Sequence, residues 1–390
     1  MKILFLSRWF PSPMDNGSKI RIYNLLRGLG QLHDVTLLSF ADQPEVSPEA
    51  PEVREICSKV VVVPWKEFDP TTIRARLAIL SLKPRSIVDT FSPEMAQAIT
   101  KTLNEQAYDL IIASQLQMAA YYPYFQGIPA IFEEFEIGLF HDRAFSPDGK
   151  IRLRQALTWF KLRIYLSQLL NAYQACTVAS EQERQLLVRN FSDFKKQVAL
   201  IPNCLNLDEY QGVRMDKKSN TLIFSGPFKY RVNYDAMLWF VGEVFPLILE
   251  RIPDTQLIIT GDHANLPLPS SKNITLSGYV DDIKSLIASC SISIAPLLSG
   301  GGTRLKILEA MALGTPVVAT SKGAEGLDAT DGEQLLLADS PADFAECVIS
   351  LLKDGSLRLE IARKAGLLVK EKYNWGSALA EYSTLINTLV

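Results

Sequence analysis

The sequence predicts an α/β protein made of two doubly wound parallel-sheet domains in tandem, facing a cleft. Three observations carry that expectation. Short β-rich runs alternate with helical ones, the pattern of a parallel sheet wrapped by helices. One polar stretch, "NCLNLDEYQGVRMDKKSN" at 203–220, interrupts the alternation, and the pattern then restarts. The 390 residues also exceed what a single ordinary core accommodates.

In the first half, strands are expected at "KILFLS" (2–7), "DVTLLSF" (34–40), "KVVVVP" (59–64), "DLIIAS" (109–114), "PAIFEE" (129–134), "ACTVAS" (175–180) and "QVALIP" (197–202). Each is a short apolar run rich in β-branched residues, as strands buried on both faces should be. After the polar stretch come "TLIFSG" (221–226), "TQLIITG" (255–261), "ITLSG" (274–278), "SISIAP" (291–296) and "PVVAT" (316–320), separated by helical runs such as "NYDAMLWFVGEVFPLILERI". Domain boundaries follow at 1–205 and 221–373, with 206–220 as linker. Ligands of such Rossmann-like sheets bind at the carboxyl ends of the strands, so the cleft between the domains is the expected site.

With 47% hydrophobic and 21% charged residues the chain is globular rather than disordered. A net charge of −3 supplies no general attraction to nucleic acid, and no nucleic-acid partner is expected. Five scattered cysteines, Cys57, Cys176, Cys204, Cys290 and Cys347, lack metal-like spacing and read as reduced thiols of a cytoplasmic protein. "MKILFLSRWFPSP" has too short an apolar run for a signal-peptide core, and no unbroken apolar run reaches membrane-spanning length. Two segments are basic and apolar together. "KIRLRQALTWFKLRIYLSQLLNAY" (150–173) interleaves Arg152, Arg154, Lys161 and Arg163 with Trp159, Phe160 and Tyr165, and "TIRARLAILSLKPRSIV" covers 72–88. A core helix with a solvated basic face and peripheral contact with the inner face of a membrane both fit this pattern.

The most informative stretch is "LLSGGGTRLKILEAMALGTPVVAT" at 297–320. Three glycines lead into a helix with Thr303 as the expected N-cap, and its first turn carries two cations, Arg304 and Lys306. A capping box would put Glu or Gln where Lys306 stands. Each cation there costs ~0.3–1 kcal/mol against the helix dipole. A bound anion accounts for the departure. Gly300, Gly301 and Gly302 allow close backbone approach, the free N–H groups of the helix start point at a phosphate, and Arg304 and Lys306 add charge. Glu309 lies deeper in an apolar run, where its carboxylate needs partners such as sugar hydroxyls. A nucleoside diphosphate is then the economical ligand. The Gly-x4-Gly-Lys-Ser/Thr order of a P-loop is missing. The alternative is an i,i+3 surface pair of Lys306 and Glu309 beside an ordinary loop.

"GGGTRLKILEAMALGTPVVATSKGAEGL" resembles the donor motif of GT-B glycosyltransferases, above all the retaining enzymes of glycosyltransferase family 4. "VALIPNCLNLDEY", "LIFSGPFKYRVNYDAMLWF", "LIITGD", "ITLSGYVDDIKSLIASCSISIAP" and the terminal "YNWGSALAEYSTLI" are similar to further family segments in the same order. The last corresponds to a helix, 374–390, that crosses back to the first domain. The resemblance implies that Glu309 binds the donor ribose. It places Gly302, Thr303, Arg304 and Leu305 at the diphosphate, Tyr279 and Val280 at the base, and Gly226, Asn233 and Gly301 around the donor. Gly17 and Ser18 fall near the transferred sugar, with Arg21 nearby on the acceptor side.

Three departures from the family pattern matter. The upstream glutamate that family members often carry is replaced by Gly301. The arginine and lysine after the first strand of the second domain fall on Pro227 and Asn233, leaving Arg304 and Lys306 as substitutes, with Lys229 and Arg231 as weaker ones. The family histidine falls on Phe135, flanked by Glu133, Glu134 and Glu136, with His141 a few residues on.

The resemblance implies a retaining, metal-independent transfer of a sugar from a nucleotide-diphosphate sugar to a glycan or lipid-linked acceptor. No resident cofactor is called for; the nucleotide sugar is a co-substrate. Arg304 and Lys306 would stabilise the leaving diphosphate. Glu134 would orient the acceptor hydroxyl, and Glu136 would bind the acceptor. A sugar-nucleotide epimerase of the same fold and a catalytically silent nucleotide-sugar binder share these features and stay open.

Overall fold

A computed structural model describes residues 1–43, 46–138, 140–141, 153–269, 271–300 and 304–389. They form two units, Met1–Pro202 with Leu379–Val390, and Asn203–Ala378. The first unit is built on seven parallel strands in the order β3-β2-β1-β4-β5-β6-β7. These are β1 Lys2–Ser7, β2 Asp34–Ala41, β3 Lys59–Pro64, β4 Leu110–Ser114, β5 Ala130–Glu133, β6 Ala175–Val178 and β7 Gln197–Leu200. From β1 the chain builds outward through β2 to β3, then returns to the other side of β1 with β4. The order therefore reverses between β1 and β4, where such sheets open a ligand crevice at their carboxyl edge.

The second unit repeats the plan with β8 Lys218–Ser225, β9 Gln256–Thr260, β10 Ile274–Gly278, β11 Cys290–Ala295, β12 Val317–Ala319 and β13 Leu336–Leu337. Its order, β10-β9-β8-β11-β12-β13, reverses between β8 and β11. Neighbouring residues on one strand feed opposite cores. Leu222 and Phe224 pack with Met237, Phe240 and Phe344, whereas Ile223 packs with Leu308, Met311 and Val369. Helices thus cover both faces of the sheet, and its inner strands β11 and β12 read as continuous apolar runs for that reason.

Several boundaries differ from expectation. β13, two residues long, carries too little pattern to be read from sequence. The run at 233–252 is not one regular helix: it is helix Arg231–Trp239, a π-turn Phe240–Val244 and helix Phe245–Arg251. Together they make a 21-residue stretch, Arg231–Arg251, apolar and long enough to cross a membrane by composition, a length that counting unbroken apolar residues missed. Its Met237, Phe240, Val241, Val244 and Ile248 lie inside the second core. The stretch 206–220 is built into the second unit: it holds a 3-10 turn, Leu207–Glu209, and already enters β8 at Lys218. The last helix, Trp375–Asn387, starts in the second unit and ends in the first.

The helix of the glycine-led stretch is Leu305–Ala312. Its cap position is Arg304, not Thr303, and no side chain caps it. Gly301, Gly302 and Thr303 lie outside the described residues. At the far end Gly314 takes φ +67°, and the N–H groups of Gly314 and Thr315 return to the carbonyls of Met311 and Ala310 at 3.2 and 2.9 Å. That is a Schellman ending, which only a left-handed residue completes cheaply.

Candidate active site

In the second unit, the switch between β8 and β11 gathers most of the singled-out residues. β8 exits into Gly226, and β11 exits toward Gly300 and the Leu305–Ala312 helix. Lys306, in the first turn of that helix, is drawn toward the β8 exit. Its Nζ donates to Asn233 Oδ1 at 2.9 Å and sits 4.3 Å from the centre of the Phe224 ring. Asn233 is fixed in turn by donating to the Pro227 carbonyl at 2.9 Å. Asn233 and Lys306 are therefore joined: where the resemblance expects a cation on one helix, an amide holds a cation from another. Gly226 makes room for the pair. A Cβ on it would lie 2.7 Å from Asn233 Nδ2 and 2.8 Å from Lys306 Nζ, and its φ of +152° already disfavours a side chain.

Burial, and then the charge of Arg304, push the Lys306 ammonium down to about 7, against the opposing pull of Glu309. No salt bridge reaches Lys306 among the described residues; an amide oxygen and a ring face are its neighbours. Such an ammonium is poised to gain from an anion. Arg304 is buried, and its Nη2 donates to the carbonyls of Gly300 at 2.8 Å and Lys322 at 3.2 Å. It ties Gly300, at φ +97°, to Lys322. Arg304→Ala is expected to cost about 1–3 kcal/mol of stability by thermal unfolding. Arg304→Lys should recover little, because an ammonium lacks the fork that spans two carbonyls.

Glu309, three residues on from Lys306, is half-buried, and burial raises its carboxyl above the usual range. Its Oε1 accepts the Tyr210 hydroxyl at 3.0 Å, and Lys284 lies 4.7 Å from the Tyr210 ring while pairing with Glu209 at 2.9 Å. Leu305 is half-buried beside them. Gly278 ends β10 at φ +68°, and its carbonyl accepts the Gly261 N–H at 2.8 Å. The following Tyr279 is 85% exposed and Val280 is half-buried, both at the same carboxyl edge. Lys229 and Arg231 are taken up by Asp262 and Asp235, each at 2.8 Å.

The first unit has its own cluster at the β1/β4 switch. Gly17 opens the first helix, Gly17–Gly30, behind Asn16, whose side chain accepts the Lys19 N–H. Ser18 Oγ accepts from Gln115 Nε2 at 3.2 Å, and the same nitrogen donates to Glu134 Oε2 at 2.8 Å. Gln115 and Glu134 are both left-handed without being glycine, at φ +67° and +56°. Strain of this kind costs about 1–3 kcal/mol per residue and persists where the surroundings dictate it. Here the Glu134 N–H is held by Thr177 Oγ1 at 2.9 Å. Burial first, with Glu133 and Glu136 adding to it, pushes the Glu134 carboxyl up to about 7 against Arg21 and Gln115.

Arg21, placed on the acceptor side by the resemblance, is fully buried. It reaches Glu133 Oε1 through Nη2 at 2.7 Å and Nε at 2.8 Å, and its Nη1 donates to the Ile201 carbonyl at 2.8 Å. A guanidinium enclosed in this way touches no acceptor; it positions the acidic pair instead. Glu136 is exposed. Phe135 is core, packed edge-on against Phe132 and Phe191, and His141 lies against Trp159 at 5.4 Å. Among the described residues no three His, Cys, Asp or Glu side chains converge as a metal site. Tyr210, Gln115, Thr177 and Ser114, whose hydroxyl donates to Glu133 Oε2 at 2.8 Å, were not foreseen. Only the polar 203–220 stretch held a cue to one of them.

Comparisons with known proteins bear on the family and the fold. The family model described as Glycosyltransferase Family 4 matches residues 15–209, and that described as Glycosyl transferases group 1 matches 219–354. An uncharacterized 44.6 kDa protein in the cps region of Klebsiella pneumoniae is 29% identical over 172 residues, 41% of this chain and 44% of that protein. The phosphatidyl-myo-inositol mannosyltransferase of Mycobacterium leprae is 28% identical over 203 residues, 48% and 53% respectively. The chain thus spans about half the length of the curated relatives it matches. Among solved structures, sucrose-phosphate synthase from Thermosynechococcus elongatus superposes with a TM-score of 0.70 at 16% identity, covering 100% of this chain and 99% of that one. Anabaena HepE in complex with UDP and glucose gives 0.66 at 15% identity, covering 100% of both. At these identities the likeness is one of fold.

Proposed function

This chain belongs to glycosyltransferase family 4 and has the GT-B fold, and from that premise we propose that it moves a sugar from a nucleotide-diphosphate sugar to an acceptor hydroxyl with retention of configuration. The observation that carries the reading is Lys306: a half-buried ammonium at a helix amino end, held by Asn233 and pushed down to about 7. A diphosphate between the β8 exit and the first turn of the Leu305–Ala312 helix would meet this cation and the free N–H groups of that turn. It would also offset the dipole and the neighbouring Arg304. A fixed cation and helix N–H groups stabilise a leaving diphosphate as the glycosidic bond breaks, with no proton to transfer.

Glu309 would take ribose hydroxyls, exchanging the Tyr210 hydroxyl for those of the donor. Glu309→Gln is then expected to lower discrimination between ribo- and deoxyribonucleotide donors by about tenfold, the worth of one charge-assisted hydrogen bond. Competition binding with the two nucleotide series measures it, and unaltered discrimination removes the assignment. Tyr279 and Val280 would border the base, with Leu305, Gly226 and Asn233 around the diphosphate.

In the first unit, Gly17 and Ser18 would approach the transferred sugar. Glu134, aimed by Gln115, would take the proton of the acceptor hydroxyl, and Glu136 would bind the acceptor. A glycan or lipid-linked glycan is the acceptor class.

The decisive experiment is a melting-temperature screen against UDP-, GDP- and ADP-sugars, because a ligand that binds only the folded state raises Tm by its own affinity. At least one should raise Tm by several degrees in the wild type and by far less in Lys306→Ala. A screen without any shift, or a shift untouched by the substitution, overturns the reading. Sugar transfer that requires an added acceptor separates a transferase from an epimerase acting on the donor alone.

A further inference from the structure

Two basic, apolar segments far apart in sequence lie side by side on the first unit. The helix Ile73–Leu77 and the turn Ala78–Leu80 adjoin the helix Leu153–Ala172, whose Lys161 ammonium donates to the Ile79 carbonyl. A cavity of about 220 Å³ opens there, lined by Ile79, Leu82, Phe140 and Leu157 together with Lys83 and Lys161. Around it apolar side chains stand in solvent: Leu80 is 89% exposed, Ile73 76%, Leu77 66% and Leu157 56%. Single exposed leucines are ordinary, but a cluster of them marks a contact surface.

Charge decides what the contact is. From Thr72 to Val88 the chain carries Arg74, Arg76, Lys83 and Arg85 and no carboxylate, and from Leu153 to Ala172 it likewise has cations and no carboxylate. Arg76 and Lys83 are exposed. Apolar rows set among cations alone match the headgroup layer of an anionic bilayer, where leucine and isoleucine enter the acyl boundary and long basic side chains stay at the phosphates.

We propose that this face seats the protein on an anionic membrane surface, with Ile73, Leu77 and Leu80 inserted, Arg76, Lys83 and Lys161 at lipid phosphates, and the cavity taking acyl carbon. The inference is independent of the donor site in the second unit.

The test is flotation of the full chain with vesicles of pure phosphatidylcholine or of phosphatidylcholine with about one-third phosphatidylglycerol. Binding is expected to the anionic vesicles only, weakening severalfold as salt rises from about 0.1 to 0.5 M. The double variant Ile73→Glu/Leu80→Glu should lower partitioning by at least about tenfold, and Arg76→Gln/Lys83→Gln by about tenfold, since each lost cation costs severalfold. These side chains are solvent-exposed, so Tm and the nucleotide-sugar thermal shift should stay as in the wild type. A failure here thereby remains separate from a failure of the donor site. Equal binding to both vesicle types, binding to neither, or binding unchanged in the variants overturns the proposal. So does a dimer in solution that the Ile73→Glu/Leu80→Glu variant converts to monomer, because a second copy would then be the occupant.

Discussion

Lys306→Ala is expected to lose about 10²–10³ in kcat/KM for the nucleotide sugar, the usual cost of removing one preorganised charge from a developing anion. The wild type should show why through its pH dependence. Without ligand the ammonium sits at about 7, held down by burial and by Arg304. A diphosphate beside it favours the protonated form and raises that value in the complex. Below pH 7 both states hold the proton, so affinity is flat. Above pH 7 binding must take a proton up, and affinity falls by up to tenfold per pH unit until the pKa of the complex is reached. A nucleotide sugar is the right probe, because its diphosphate is esterified at both ends and does not itself titrate there. In Lys306→Arg the guanidinium stays charged, so the fall should vanish. Titration calorimetry between pH 6 and 9 reads both, and a wild-type affinity independent of pH would remove Lys306 from the diphosphate. The same linkage acts on the free protein. Unfolded Lys306 keeps its proton to its ordinary 10.5, while the folded residue releases it near 7, so this residue's contribution makes stability rise with pH between those values.

The Glu134→Gln variant should lower kcat by about 10²–10⁴, the range for loss of a positioned acid or base. Burial holds this carboxyl near 7, so it is half-protonated at neutral pH. Only the carboxylate accepts a proton, and turnover of the wild type should therefore rise with pH and reach half its plateau near 7. The profile is best taken as kcat at saturating donor, where the diphosphate keeps Lys306 protonated and its titration drops out. Glu134→Gln should lose the acidic limb together with the rate. Gln115→Ala removes a donor that favours the charged carboxyl, so its limb should move to higher pH with a smaller loss in plateau. A purely structural Gln115 would lower the plateau and leave the limb in place. A Glu134→Gln profile that keeps the limb would show that another group carries it.

Much of the fold is legible because parallel strands buried on both faces announce themselves as apolar runs, as β1, β2, β4, β5, β6, β11 and β12 do, while the largely exposed β7 and β10 are legible from the turns that bound them. β13 is too short to carry a pattern. The break at Phe240–Val244 leaves no mark either, because a π-turn keeps the apolar face and only shifts its phase. The proposed anion site stands out in the sequence through conflict: cations at a helix start are locally unfavourable, and that conflict singles out Arg304 and Lys306. Their division of labour does not. Lys306 finds Asn233 73 positions away, Glu309 finds Tyr210 99 positions away, and Arg304 turns inward to two carbonyls. Pairings of this kind are products of topology, which brings the β8 and β11 exits together. The strain at Gln115 and Glu134 is equally silent, since neither residue type advertises a left-handed backbone. The burial of Arg21 is silent for a related reason: the resemblance sets it on the acceptor side, while its partner Glu133 lies 112 positions on.

That buried arginine also bears on how the protein is made. Arg21, from the opening helix, is sealed by Glu133 and by the Ile201 carbonyl, and Tyr382 is fully buried in the same unit, where Leu379 packs against Gly28. On the ribosome, the guanidinium waits some 180 residues for its partner at Ile201, and the apolar seat of the helix Trp375–Asn387 stays open until that helix has been made. The unit begun first thus closes only after the second unit has been made, and a nascent chain cut short before Leu379 leaves that seat exposed to chaperones and proteases.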